Sequence, residues 1–296
     1  MNIQTQPMNL GLGEGPLWHA LRKSWCWFDI LDQSLYELEH KRFCITNPTK
    51  HDLPFIGTAM AVVDASSVLI ATDKAIVLYD LDTRDVRILC SLSLPKNMRT
   101  NEGGMGPDGR FWFSSMEKIP SGLNGSVFSI NHKLEIEEHI TGIGIPNTMV
   151  WNLEAKKFYL SDSYQEKTYT FEYLHNNLLL ETKETYLDMT ERAGTPDGGA
   201  LDVNGNLWVA LWGGHKVACF SPNGELMNEI PLPVPQPSSC CFGGPEGKHL
   251  LITSARESMS EDAVEEYPQS GSTFLVEVDV AGIEVPNFKL DAHYVS

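Results

Sequence analysis

The chain has 296 residues, 42% apolar and 21% charged, a composition usual for a folded globular protein. Its 39 acidic residues outnumber 22 basic ones and give a formal charge of −17. That argues against nucleic acid or an anionic membrane surface as partner, since phosphate binding needs clustered Lys and Arg. No basic stretch followed by an apolar run opens the sequence, so no signal peptide is expected. No apolar run approaches the roughly 18 residues of a membrane span. Six cysteines (Cys26, Cys44, Cys90, Cys219, Cys240 and Cys241) include no CxxC pair, and a reduced, cytoplasmic protein is expected. The Asn124-Gly125-Ser126 sequon then has no consequence.

Strand-like runs rich in aromatic and β-branched residues recur in pairs along the chain. "WCWFDI" from Trp25 is followed by "SLYELE". "VLIATD" from Val68 is followed by "AIVLYDL" and "VRILCSL". "FWFSS" from Phe111 leads to "GSVFSI" and "EIEEHIT", and "FYLSDS" from Phe158 to "KTYTFEY" and "ETYLDM". "LWVALW" from Leu207 leads to "KVACF" and "LMNEIPLP", and "LLITSA" from Leu250 to "STFLVEV". The leading runs start 43 to 49 residues apart, mostly after turn signals such as "GPDG", "DVNG" and "GPEG". Helical periodicity is hard to find.

A unit of four strands repeated six times predicts an all-β fold, a six-bladed β-propeller with four antiparallel strands per blade. A β-sandwich or two smaller β domains is the competing reading. No linker or composition break divides the chain, so residues 1–296 are expected to form one domain. The N-terminal segment is expected to pair with the last blade and seal two edges.

The repeat also serves as a ruler. Ten or eleven residues before each leading run stand Glu14, Thr58, Asn101, Asn147, Asp197 and Ser239. All carry side-chain oxygen, and each precedes the first strand of its unit. In a propeller such positions ring one mouth of the central channel. Two carboxylates and two amides meeting there would suit Ca²⁺, Mg²⁺ or Mn²⁺. With no His or Cys in the ring a structural zinc is not expected, whereas a catalytic zinc with oxygen ligands stays open. Taken singly, each of these residues is better read as a turn cap; it is the shared register that favours a site.

Other signals lead elsewhere. Gly104 to Gly109 spell GxGxxG, but a Pro-Asp-Gly turn and a strand follow, where a dinucleotide loop needs a helix. There is no GxSxG, HExxH, P-loop or EF-hand loop, and no histidines pair at metal spacing. Cys240 and Cys241 should point to opposite faces of a strand and pack. Trp25, Trp27, Trp112 and Trp208 are expected between blades. Trp18, Trp151 and Trp212 are core by default, though nearer the mouth and able to line a pocket. "EDAVEEYP", residues 261–268, is expected as a solvated acidic loop, or a lid at the mouth.

Several motifs together resemble the gluconolactonase / senescence marker protein-30 (regucalcin-like) family over nearly the whole chain. They are "GEGPLW", "RTNEGGMGPDGRFWFSSM", "IPNTMVWN", "YLSDS", "TPDGGALDVNGNLWVALWGG" and "SSCCFGG". The resemblance implies a propeller holding one divalent metal in its channel, with Glu14, Asn147 and Asp197 as ligands. It implies substrate contacts from Arg99, Asn101 and, by the loosest match, Glu117. Family members commonly carry Asn-Asp-Gly where this chain has Asn101-Glu102-Gly103, and many have Ser-Asn-Gly where it has Pro146-Asn147-Thr148. The implied activity is metal-dependent hydrolysis of a sugar aldonolactone, with Ca, Zn, Mn or Mg as cofactor and Asp197 activating water. A phosphotriesterase on the same scaffold and a non-catalytic calcium-binding propeller are the alternatives. Which lactone, which metal and which oligomeric state are left open.

Overall fold

The computed structural model describes residues 3–41, 47–291 and 294. Cys44 and its expected free thiol lie outside the described residues. After β1 (Ile3–Gln6) the first sheet comprises β2 (Gly13–His19), β3 (Ser24–Asp29), β4 (Ser34–Glu39) and β5 (Thr49–Asp52). The second comprises β6 (Gly57–Val62), β7 (Ser67–Thr72), β8 (Ala75–Asp80) and β9 (Val86–Ser91). The third holds β10 (Met98–Met105), β11 (Phe111–Glu117), β12 (Gly125–Ile130) and β13 (Ile136–Ile143). The fourth holds β14 (Pro146–Asn152), β15 (Lys157–Asp162), β16 (Lys167–Leu174) and β17 (Asn177–Asp188). The fifth runs through β18 (Thr195–Leu201), β19 (Leu207–Trp212), β20 (Lys216–Phe220) and β21 (Leu226–Pro231). The sixth, β22 (Pro237–Gly243), β23 (His249–Ser254) and β24 (Thr273–Glu277), is completed by β1.

These six four-stranded sheets make the fold a six-bladed β-propeller, as the repeat predicts. Ile3 to Gln6 of β1 pair with Val276 to Thr273 of β24. The expected joining of the N-terminal segment to the last blade is therefore present.

Backbone contacts divide the chain into two compact units, Met1–Pro54 with Leu187–Glu284 and Phe55–Tyr186 with Val285–Ser296. The first unit contains the fifth, sixth and first sheets. Trp208, Val217, Cys240, Ile252 and Phe274 form one of its apolar layers; Trp25, Trp27, Leu38 and Leu251 form another, with Cys241 against it. The two adjacent cysteines thus face opposite layers. The second unit contains the second, third and fourth sheets, with layers around Phe111, Phe113 and Leu69 and around Trp112, Trp151 and Phe158. Each large side chain buried in such a layer contributes roughly 1.5–3 kcal/mol, which is why the aromatic runs become the central strands.

Three details differ from the sequence reading. Residues 261–266 form a short helix, α1 (Glu261–Glu266), where a loop was expected. Ser260 Oγ caps it by accepting the Ala263 N–H at 3.2 Å, and Glu261 and Asp262 face the positive end of its dipole. Trp151 is a core residue, as its default reading has it, with its ring tilted 31° against Phe158 at 4.8 Å between centroids, but it does not lie near the proposed mouth. It and Trp18 sit on strand ends away from the residues of the ruler, whereas Trp212 pairs with Thr195 beside Asp197. β5 was not foreseen: its sequence, "TKHD", has no apolar alternation.

Candidate functional site

Every first strand carries one extra residue at the same height. Pairing jumps between Glu14↔Phe28 and Leu17↔Cys26 in β2, and between Gly57↔Thr72 and Ala59↔Ala71 in β6. The same jump lies between Thr100↔Ser115 and Gly103↔Phe113 in β10, and between Asn147↔Ser161 and Val150↔Tyr159 in β14. In β18 it falls between Pro196↔Leu211 and Gly199↔Val209, and in β22 between Pro237↔Ser254 and Ser239↔Thr253. These are β-bulges, which re-aim side chains out of the pleat.

The six ruler residues all fall at these bulges, with a slip of one. Glu14 and Asn147 open theirs, Thr58, Asn101 and Asp197 lie inside, and Ser239 closes its own. The slip arises because a bulge adds a residue without altering the strand's composition.

In the second unit neighbouring bulges are tied directly. Thr58 Oγ1 donates to Thr100 Oγ1 at 2.8 Å. Asn101 Nδ2 donates to Asn147 Oδ1 at 2.9 Å and to the Pro146 carbonyl at 3.0 Å. Asn147 Nδ2 in turn donates to Ser163 Oγ at 2.8 Å. Arg99 Nη1 donates to Asn101 Oδ1 at 2.6 Å and to the Thr100 carbonyl at 2.9 Å. Arg99, Asn101 and Asn147 are thereby brought together in one line, with both amides buried. Neutral bonds of this kind contribute about 1 kcal/mol each, and the charge-assisted one more. Ser163 belongs to the "YLSDS" motif, but nothing in the sequence revealed its role.

In the first unit the bulges of β18, β22 and β2 are also side by side. A Cβ on Gly198 would overlap Ser239, and Ser238 Oγ donates to the Gly13 carbonyl. Asp197 is buried and Glu14 half-buried. Glu14 Oε2 accepts the Gly15 N–H at 3.0 Å. Gly15 has φ +55°, a left-handed turn that glycine enters without steric cost.

Glu117 ends β11 opposite Met98. Its Oε2 accepts the Ser121 N–H and hydroxyl, both at 2.8 Å, and Oε1 accepts Asn97 Nδ2 at 3.3 Å. The Ser121 bonds hold the carboxyl below its ordinary range. Glu117 thus serves as an acceptor for its own loop. It lines a cavity of about 700 Å³ in the second unit, with Asn97, Phe113 and Ser126.

Glu102, beside Asn101 in the β10 bulge, behaves differently. Desolvation pushes its acid constant up to about 7, against the Gly103 and Thr148 N–H groups that donate to it.

The donors suit a hard divalent cation. Asn147 donates its amide N–H to Ser163, which turns its carbonyl oxygen toward Asn101. A carbonyl oxygen has two lone pairs, so accepting from Asn101 does not exhaust it. Within the first unit, Glu14 and Asp197 carry carboxylate oxygens of the same hard character. Among the described residues no three His, Cys, Asp or Glu side chains gather as a metal site. No helix among the described residues is long and apolar enough to cross a membrane.

Comparison with known proteins shows the family. Residues 12–256 match the model of the SMP-30/gluconolactonase/LRE-like region. A protein of Rhizobium meliloti provisionally named a sugar lactone lactonase is 28% identical over 283 residues, 94% of each chain. Regucalcin of Danio rerio is 28% identical over 268 residues, 90% of each. The crystal structure of regucalcin from Agrobacterium tumefaciens, titled a calcium-binding protein, superposes with a TM-score of 0.89. It is 31% identical over 96% of this chain and 95% of that one.

Proposed function

Because the chain belongs to the SMP-30/gluconolactonase/LRE-like family, we propose that it is a metal-dependent lactonase that opens a sugar aldonolactone to the aldonate. The ligand set is Glu14, Asn147 and Asp197, within a single propeller domain. A divalent cation held by them supplies Lewis-acid polarisation of the lactone carbonyl. The observation that carries the reading is the hydrogen-bonded line Arg99–Asn101–Asn147–Ser163, which supports it by ordering the Asn147 amide beside the Arg99 guanidinium.

Asp197 takes the proton of the attacking water as that oxygen bonds to the carbonyl carbon. The ring C–O bond then breaks, the ring oxygen takes that proton back from Asp197 to leave as a hydroxyl, and the new carboxylic acid ionises to the aldonate, releasing one proton, so water is the only co-reactant. Arg99 presents a fork of donors to the hydroxyl oxygens of the sugar, with its guanidinium steadied by Asn101 and the Thr100 carbonyl. Glu117 would reach a sugar hydroxyl only by giving up one of its bonds to Ser121 or Asn97.

The reading is tested with a panel of sugar lactones followed by proton release. Asp197→Asn keeps an oxygen ligand but not the base. It should lower kcat by about 10²–10⁴ while still binding Mn²⁺. Near-normal turnover in that variant removes Asp197 from its role. A chain that binds metal yet hydrolyses no lactone would be a binding protein instead.

A further inference from the structure

Glu102 and Thr148, from neighbouring bulges, touch each other. Glu102 lies in the β10 bulge and Thr148 in the β14 bulge, and the Thr148 N–H donates to the Glu102 carboxylate. Thr148 is fully buried and has φ +47°. For a β-branched residue this left-handed conformation is a steric outlier, and it persists only where surrounding contacts hold it. In the β2 bulge the corresponding turn, after Glu14, is made by Gly15 at φ +55°, which needs no such support.

We propose that Glu102 and Thr148 form a positioning pair: the carboxylate holds the Thr148 turn, and that turn presents the Asn147 oxygen to the cation. The inference rests on Asn147 being a ligand. Three bonds clasp one bulge to the next. Asn101 Nδ2 grips the Pro146 carbonyl and Asn147 Oδ1, and Glu102 takes the Thr148 N–H. Glu102 is itself steadied by the Gly103 N–H at 2.9 Å. Its backbone carbonyl accepts Ser114 Oγ at 2.9 Å. Without the carboxylate, Thr148 relaxes toward negative φ and the peptide following Asn147 turns with it. Glu102 therefore acts through Thr148 and not on the substrate.

The test is a double-mutant cycle with Mn²⁺ as probe, its affinity read by EPR. E102M keeps the side-chain volume but has no acceptor, and should weaken Mn²⁺ binding about 10-fold, the cost of an unsupported left-handed residue. E102Q retains a carbonyl acceptor and should recover most of the affinity. T148G takes the turn unaided, so adding E102M to it should cost less than about 2-fold. The pair is overturned if E102Q is as weak as E102M, since charge alone would then be acting. Equal losses from E102M with and without T148G also overturn it. A wild-type chain that binds no Mn²⁺ would refute the ligand reading separately. Urea unfolding of the metal-free chain then decides on the pair: E102M should destabilise the wild type more than the T148G variant, and equal losses reject it.

Discussion

Asn101→Asp changes one atom type at the most connected residue of the site. The amide nitrogen donates to two oxygens, the Pro146 carbonyl at 3.0 Å and Asn147 Oδ1 at 2.9 Å. A carboxylate cannot donate, so both bonds are lost, at about 1 kcal/mol each, and a negative oxygen faces two carbonyl dipoles instead. The other oxygen gains a charge-assisted bond from Arg99, now 2.6 Å from Asn101 Oδ1. Arg99 is half-exposed, so this returns at most about 1 kcal/mol. The repulsion from the two carbonyls adds about 1 kcal/mol, so a net loss of about 2 kcal/mol remains. For a chain of 296 residues the unfolding entropy makes that a fall in Tm of about 3 °C. Scanning calorimetry on the metal-free variant reads the stability, and lactone hydrolysis should fall by at least about 10² as Asn147 loses its partner. An unchanged Tm would mean that the Asn101 amide faces the other way round, and the line of donors from Arg99 to Ser163 would have to be redrawn.

Two further outcomes follow from the bonds of Asp162 and Glu117. Asp162 accepts the Gly144, Ile145 and Tyr164 N–H groups at 3.0, 3.0 and 3.2 Å while fully buried. Asp162→Ala strands these donors next to Asn147 and should cost about 3–5 kcal/mol in urea unfolding; a loss below about 1 kcal/mol would contradict that role. Glu117 has its acid constant lowered by Ser121. Its support of the loop is therefore present above the ordinary carboxylate value and is lost as pH falls through the lowered one. Intrinsic-rate-corrected exchange protection of the Ser121 amide should drop only in that acid window, and Glu117→Ala should abolish the step.

What the sequence made legible follows from burial. Strands such as β3, β7 and β11 are wholly buried and spell this in aromatic and β-branched residues. β5 carries almost no such residues, and α1 is too short for helical periodicity to register. The ruler found the correct height on every first strand because the repeat length is set by whole four-stranded sheets. It slipped by one inside the bulges, where an extra residue leaves no compositional trace. The partners that orient the amides, Ser163 and the Pro146 carbonyl, come from the turn that follows β15 and from the backbone, and no motif announces either role. Glu117 was drawn from the resemblance alone, and its carboxylate is engaged by Ser121 and Asn97. The coupling of Glu102 to Thr148 needed the three-dimensional neighbourhood of two bulges 46 positions apart along the chain.

The central claim is that Glu14, Asn147 and Asp197 hold one divalent cation on which lactone hydrolysis depends. Its most direct test is to strip the chain with chelator and titrate Ca²⁺, Mn²⁺, Zn²⁺ or Mg²⁺ back while following hydrolysis. The expected result is no turnover without metal, recovery that saturates at one equivalent per chain, and a right-shifted titration in Asn147→Ala. Hydrolysis that survives full metal removal, or an Asn147→Ala titration that overlays the wild type, would contradict it.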